Sequence, residues 1–125
     1  MSMTASFIVG RIHSKQRPRH LRNGHTYKHP DDRVYEEEVA YNYRTQTDGY
    51  MFEGPVTVTM LFTTVKPKSV KRDYPTVRPD LDNVIKSVMD GLNGTAWKDD
   101  AQVCRLIAEK QYGCHERVYV LIQGD

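Results

Sequence analysis

The chain has 125 residues, 38% of them hydrophobic and 27% charged, with a net charge of +2 and two cysteines. That length matches one ordinary folded unit, and no apolar run approaches the roughly 18 residues that a membrane span needs. Cys104 and Cys114 make no disulfide framework, and neither stands in a C-x-x-C pair that would point to zinc or thiol redox chemistry.

The first ten residues lack the charged start, long apolar stretch and small-residue cleavage site of a secretory signal, so a cytoplasmic protein is expected. The small net charge hides an uneven distribution. Residues 1–30 carry Arg11, Lys15, Arg17, Arg19, Arg22 and Lys28 and no acid, which leaves the rest of the chain with four more acids than bases. A basic arm on a mildly acidic body suits a polyanion such as nucleic acid, although charge runs also serve as plain solvated surface.

In chain order, residues 6–12 form a short apolar segment that reads as a first strand. It runs into Lys15-Gln-Arg-Pro-Arg19, a basic loop in which Pro18 opposes regular structure. Asp31 and Asp32 can cap a helix that continues through Tyr41 and breaks within residues 45–49. Residues 55–65 alternate, with Val56, Val58, Met60 and Phe62 on one face and threonines on the other, as a half-buried strand does.

A second basic loop follows over residues 66–78, with Lys66, Lys68, Lys71, Arg72 and Arg78 against Asp73. Leu81, Val84, Ile85, Val88 and Leu92 recur at helical spacing, and Gly91, Asn93 and Gly94 close that helix. Residues 103–112 and 116–123 are rich in strand formers on either side of Gly113-Cys-His115, which predicts a hairpin. Residues 118–122 are almost continuously apolar, which predicts a central strand buried on both faces. The order β-α-β-α-β-β implies an α+β fold: a single domain over residues 1–125, with a mixed four-stranded sheet and two main helices packed on it.

The chemistry concentrates around the second helix. Asp80 and Asp82 stand two residues apart at its start, where an N-cap and a dipole-stabilised first-turn acid account for them without any catalytic role. Lys86 lies one turn past Asp82, either as an i,i+4 ion pair or as a cation beside a bound phosphate. Asp99-Asp100 adds further carboxylates. An extended run of the eight residues 93–100 reaches at most about 26–29 Å, against ~18 Å for the helix, so the chain is able to return these acids to the helix start.

Three carboxylates at one point repel unless neutralised, and hard oxygen ligands select Mg²⁺ or Mn²⁺. Such an ion polarises a phosphate and activates an attacking water. The histidines His13, His20, His25 and His29 of the arm show no zinc spacing. Trp97 and Phe52 can stack on bases, but burial is the reading preferred for both.

Arg78-Pro-Asp-Leu-Asp-Asn-Val-Ile-Lys86, Met89-Asp-Gly-Leu-Asn93 and Trp97-Lys-Asp-Asp-Ala-Gln-Val103 together resemble the signature of the RusA family of Holliday-junction resolvases, including its phage-borne relatives. The loop at residues 15–19 is similar to a G-K-x-R-P-R loop of those relatives, with Ser14 where glycine is common. The resemblance covers most of the chain. It implies metal-binding aspartates at Asp80, Asp82 and Asp100, with Asp99 as a neighbouring candidate, and a catalytic lysine at Lys86. It also implies Mg²⁺-dependent homodimers, often prophage-encoded, that nick four-way DNA junctions symmetrically.

Lys15, Arg17 and Arg19 of the arm and Lys71, Arg72 and Arg78 of the second loop are the expected DNA contacts. Three rival readings stand beside this one. In the first, a non-catalytic nucleic-acid-binding module uses its aspartates only as caps; in the second, the same chemistry acts on other structures such as flaps, forks or RNA; in the third, ranked last, a structural protein binds polyanions with no specific chemistry.

Overall fold

Residues 2–15, 19–20, 22–24 and 26–124 are described in the computed structural model, with only the backbone described at 19–20 and 26–27. The predicted alternating strand is β4 (Val56–Val65), in which Val56, Val58, Met60 and Phe62 are buried. It belongs to a four-stranded sheet with β1 (Met3–Val9), β5 (Val103–Gly113) and β6 (Arg117–Gly124), in the spatial order β1-β6-β4-β5. Two further strands, β2 (Arg19–His20) and β3 (Thr26–Tyr27), pair with each other in the arm. The helices are α1 (Pro30–Gln46) and α2 (Leu81–Leu92). Apart from the short ribbon, the order is β-α-β-α-β-β in an α+β fold, as the pattern of apolar residues predicts.

Register explains the core. Ala5, Ile122 and Val58 form one cross-strand row, Phe7, Val120 and Met60 the next, and Val9, Val118 and Phe62 the third. All nine are buried, together with Tyr35, Val39 and Tyr43 of α1 and Val84, Val88 and Leu92 of α2. Phe52 and Trp97 join the same core fully buried, so their apolar surface serves packing. No helix among the described residues is long and apolar enough to cross a membrane.

The structure differs from the sequence reading in several places. The first strand covers residues 3–9 rather than 6–12, because beyond it the chain is tied to α1: the Tyr35 hydroxyl donates to the Arg11 carbonyl at 2.9 Å. His29, not Asp31 or Asp32, caps α1, its Nδ1 accepting from the Asp31 N–H at 3.1 Å. Pro30 then starts the helix where a missing N–H costs nothing, and the two aspartates occupy the first turn that the dipole favours.

The predicted β5–β6 hairpin does not form, because β4 lies between the two strands, parallel to β5 and antiparallel to β6. A link of residues 114–116 is long enough for this. Four Cα steps reach about 13 Å, while two strand spacings need roughly 9.6 Å. β6 is central but buried on one face only, through Val118, Val120 and Ile122, whereas Tyr119 and Leu121 stay half-exposed on the opposite face.

The two helices approach each other closely at Gly91. A Cβ there would lie 2.6 Å from Val39 Cβ and 3.0 Å from the Glu36 carbonyl oxygen, closer than packed atoms come. Gly91→Ala should therefore lower stability by about 1–3 kcal/mol through overpacking. Urea unfolding monitored by circular dichroism checks this, and an unchanged midpoint would mean that the helices separate at no cost.

Candidate active site

The start of α2 is presented from below by the sheet. On the inner face, the row through Val9, Val118 and Phe62 continues into Lys110 of β5. From there the Lys110 ammonium donates to the carbonyls of Val77 and Pro79, at 2.8 and 3.0 Å. Those are the last turns of chain before Asp80, so a lysine on the edge strand holds the loop that delivers the first acid. Sequence reading missed Lys110; its signal was a cation at an inward-facing strand position, which only the register reveals.

Asp80 is the N-cap of α2, with extended backbone (φ −70°, ψ 140°), yet its side chain makes no capping hydrogen bond. An ordinary capping aspartate would accept an N–H of the first turn. Asp80 instead sits exposed beside a cleft of about 620 Å³ that Ser14, Arg78, Pro79 and Asn83 also line. Asp82, in the first turn and exposed, accepts the N–H of Asn83 at 2.9 Å through Oδ1. Lys86 is exposed one turn later and forms no ion pair with Asp82 among the described residues.

The root of the basic arm lies along the same helix. The Lys15 N–H donates to the Asn83 carbonyl at 3.5 Å, and its ammonium meets the Asp90 carboxylate two turns further on. Burial, foremost, and the neighbouring charges of Lys28 and Lys86 lower the Lys15 pKa, while Glu36 and Asp32 oppose the shift. Just upstream, His13 Nε2 lies 2.7 Å from Asp32 Oδ1, and Arg11 Nε donates to Glu38 at 3.0 Å. Arg11 and Lys15 are thus engaged in holding the arm to both helices.

Among the other expected DNA contacts, Arg78 and Lys71 are exposed without an ion pair among the described residues. Arg72 Nε donates to the Tyr112 hydroxyl at 2.9 Å. Arg17 lies outside the described residues, as does the side chain of Arg19, whose backbone is in β2.

Asp99 and Asp100 have different local roles. Asp99 caps a short 3-10 turn (Asp100–Gln102), accepting from the Ala101 N–H at 2.9 Å in a capping box with Gln102. Asp100 accepts the indole N–H of buried Trp97 on Oδ1 at 2.8 Å and has Oδ2 left over. Neither returns to the helix start. The Asp100 N–H donates to Asn93 Oδ1 at 3.1 Å, after a reversal at Gly94 (φ 78°) in which the Gly94 N–H donates to the Trp97 carbonyl at 2.7 Å. The second pair of acids therefore stays at the C-terminal end of α2, on the order of 18 Å from Asp80. Among the described residues, no three His, Cys, Asp or Glu side chains gather into a group able to hold a metal ion.

Comparison with known proteins adds two findings. Residues 10–123 match the family model described as Endodeoxyribonuclease RusA. The chain is also similar to the uncharacterized protein YqaN of Bacillus subtilis (strain 168), being 32% identical over 134 aligned positions that take in 93% of this chain and 92% of that protein.

Lys110→Met keeps the length and apolar stem of the side chain but removes both hydrogen bonds to the loop before Asp80. It should cost about 1.5–3 kcal/mol, the usual range for bonds made by a charged donor. Backbone amides of residues 76–82 should exchange faster than in the parent, measured by hydrogen–deuterium exchange. Unchanged protection there would show that the loop holds itself.

Proposed function

The chain belongs to the endodeoxyribonuclease RusA family, and we propose that it resolves four-way (Holliday) DNA junctions as a homodimer, by paired, divalent-metal-dependent nicks. The observation that carries this reading is Asp80: a helix N-cap carboxylate that leaves the helix N–H groups alone and stands exposed at a cleft beside Arg78. Capping does not account for it. Likewise, the absence of an Asp82–Lys86 ion pair among the described residues leaves Lys86 available to a phosphate.

The donor set fits a hard divalent cation. Asp80 and Asp82 are oxygen ligands with unused lone pairs, and Mg²⁺ is commonly held by one or two carboxylates together with waters and substrate phosphate. A bound ion would supply charge neutralisation at a phosphoryl oxygen and easier deprotonation of an attacking water. The chain's own part is positioning: Lys110 holds the loop, Asp80 and Asp82 receive the ion, and Arg78 and Lys86 bring positive charge to the phosphate.

Asp100 is a helix length away from that pair, so it joins the site only from a second copy. A two-fold dimer would set Asp100 of each chain against Asp80 and Asp82 of the other, and its two equivalent sites suit two symmetric cuts. Asp99, engaged in its capping box, is the weaker ligand candidate.

Two measurements check this. Asp82→Asn should abolish Mg²⁺-dependent nicking of a synthetic four-way junction, while gel-shift binding in EDTA survives or tightens as a repelling charge is lost. Wild-type-like nicking by that variant would remove Asp82 from the site, and equal nicking of linear duplex by the parent would remove the junction from the function. Asp100→Asn, which keeps the oxygen that accepts from Trp97, should be inactive alone. Mixed and re-annealed with Asp82→Asn, it should restore about a quarter of wild-type nicking, since half the dimers would be mixed and each has one intact site. No restoration would place both acids in one chain's site.

A further inference from the structure

The aromatic rings singled out by sequence, Trp97 and Phe52, are fully buried, whereas Tyr74, six residues before Asp80, presents an exposed ring among the described residues. It is 62% exposed, lies in the irregular stretch between β4 and α2, and makes no side-chain hydrogen bond or ring contact among the described residues. The chain on either side of it is anchored. Upstream, Arg72 Nε donates to the Tyr112 hydroxyl at 2.9 Å, and the Lys66 ammonium stands 5.8 Å from the centre of the same ring. Downstream, Pro75 is buried and Lys110 holds the Val77 and Pro79 carbonyls at 2.8 and 3.0 Å. A free ring on an anchored backbone has only its own two torsions to order on binding, so contact with a partner costs little entropy.

The surroundings identify the partner. Lys66, Lys68, Lys71, Arg72 and Arg78 share the loop with a single acid, Asp73, and Asp80 follows six residues after Tyr74. Tyr41 is equally exposed, at 65%, but lies on α1 beside Glu37 and Glu38, where a polyanion is repelled. We propose that Tyr74 is a stacking site for the base faces left unstacked at the branch point of branched DNA. Bases inside a continuous duplex are stacked on both faces and offer a tyrosine nothing, whereas a branch point exposes base faces; lysines and arginines, by contrast, hold phosphates of either form. Tyr74 would thus contribute selectivity for the branch and the basic residues around it affinity for any DNA. The inference rests on the junction-cutting reading and adds to it the group that senses the branch.

The test is binding in EDTA of a four-way junction and of a linear duplex of matched length by the parent chain and by Tyr74→Ala, Tyr74→Phe and Tyr74→Trp. Tyr74→Ala should lose roughly tenfold in junction affinity, the usual scale for one stacked base, with duplex affinity and the salt dependence of both unchanged. Tyr74→Phe and Tyr74→Trp should bind as the parent does, because each keeps a flat ring. Junction affinity of Tyr74→Ala equal to the parent's, an equal fall for junction and duplex, or a loss in Tyr74→Phe as large as in Tyr74→Ala would each overturn the stacking site. A parent chain that binds junction no better than duplex would instead overturn the junction-cutting reading, and the stacking site with it.

Discussion

Because β5 runs parallel to β4, the chain between them has to travel back along the length of the sheet, and α2 is the part of that return that packs on the core. Most of the site follows from this constraint. The helix must begin near the end of β4 and finish near its start, so acids placed just before α2 and just after it are separated by its full length. The same parallel pairing brings Lys110 up beside Phe62, under the loop that enters the helix. A hairpin of β5 with β6 would have left that loop without its support.

The basic residues divide into two groups by what they touch. Arg11, Lys15 and Lys110 are spent inside the fold, on Glu38, on Asp90 and on two backbone carbonyls. These contacts fasten the arm and the second loop to the helices, and each couples a segment without regular structure to an element with a packed face. Arg78, Lys71 and Lys86 are left exposed, without ion pairs among the described residues. Exposed cations with no internal partner lose little when a phosphate takes them, whereas the covered Lys15 would first have to give up Asp90.

Close packing sets how precisely these parts are held. Gly91 lets α1 and α2 touch along Val39, and Trp97 fills the space below the end of α2 while its indole N–H is satisfied by Asp100. That hydrogen bond makes Asp100 both a structural acceptor and a carboxylate with an oxygen to spare. Asp99 has no such division of roles, because the capping box already uses it.

Local signals were readable from the residues alone. The apolar stripe of α2 from Leu81 to Leu92, the alternation of β4 and the irregular basic stretch over residues 66–78 all depend on spacings of a few residues, which local geometry dictates. The helix start that carries Asp80 and Asp82 was legible for the same reason, as was the α+β order of elements. Strand pairing was not, since a three-residue link serves a hairpin and a hop across an intervening strand equally well. The orientation of Lys110 was not either, because it depends on a register set by β4. The burial of Trp97 and Phe52, the reading preferred from the residues, holds, but the exposure of Tyr74 was not legible, because it depends on the packing of the whole chain. Chemistry is carried by residue identity, and so the sequence by itself determined which groups could act; distance between remote residues is set by long-range packing, and so only the tertiary structure decided that Asp100 stays a helix length from Asp80.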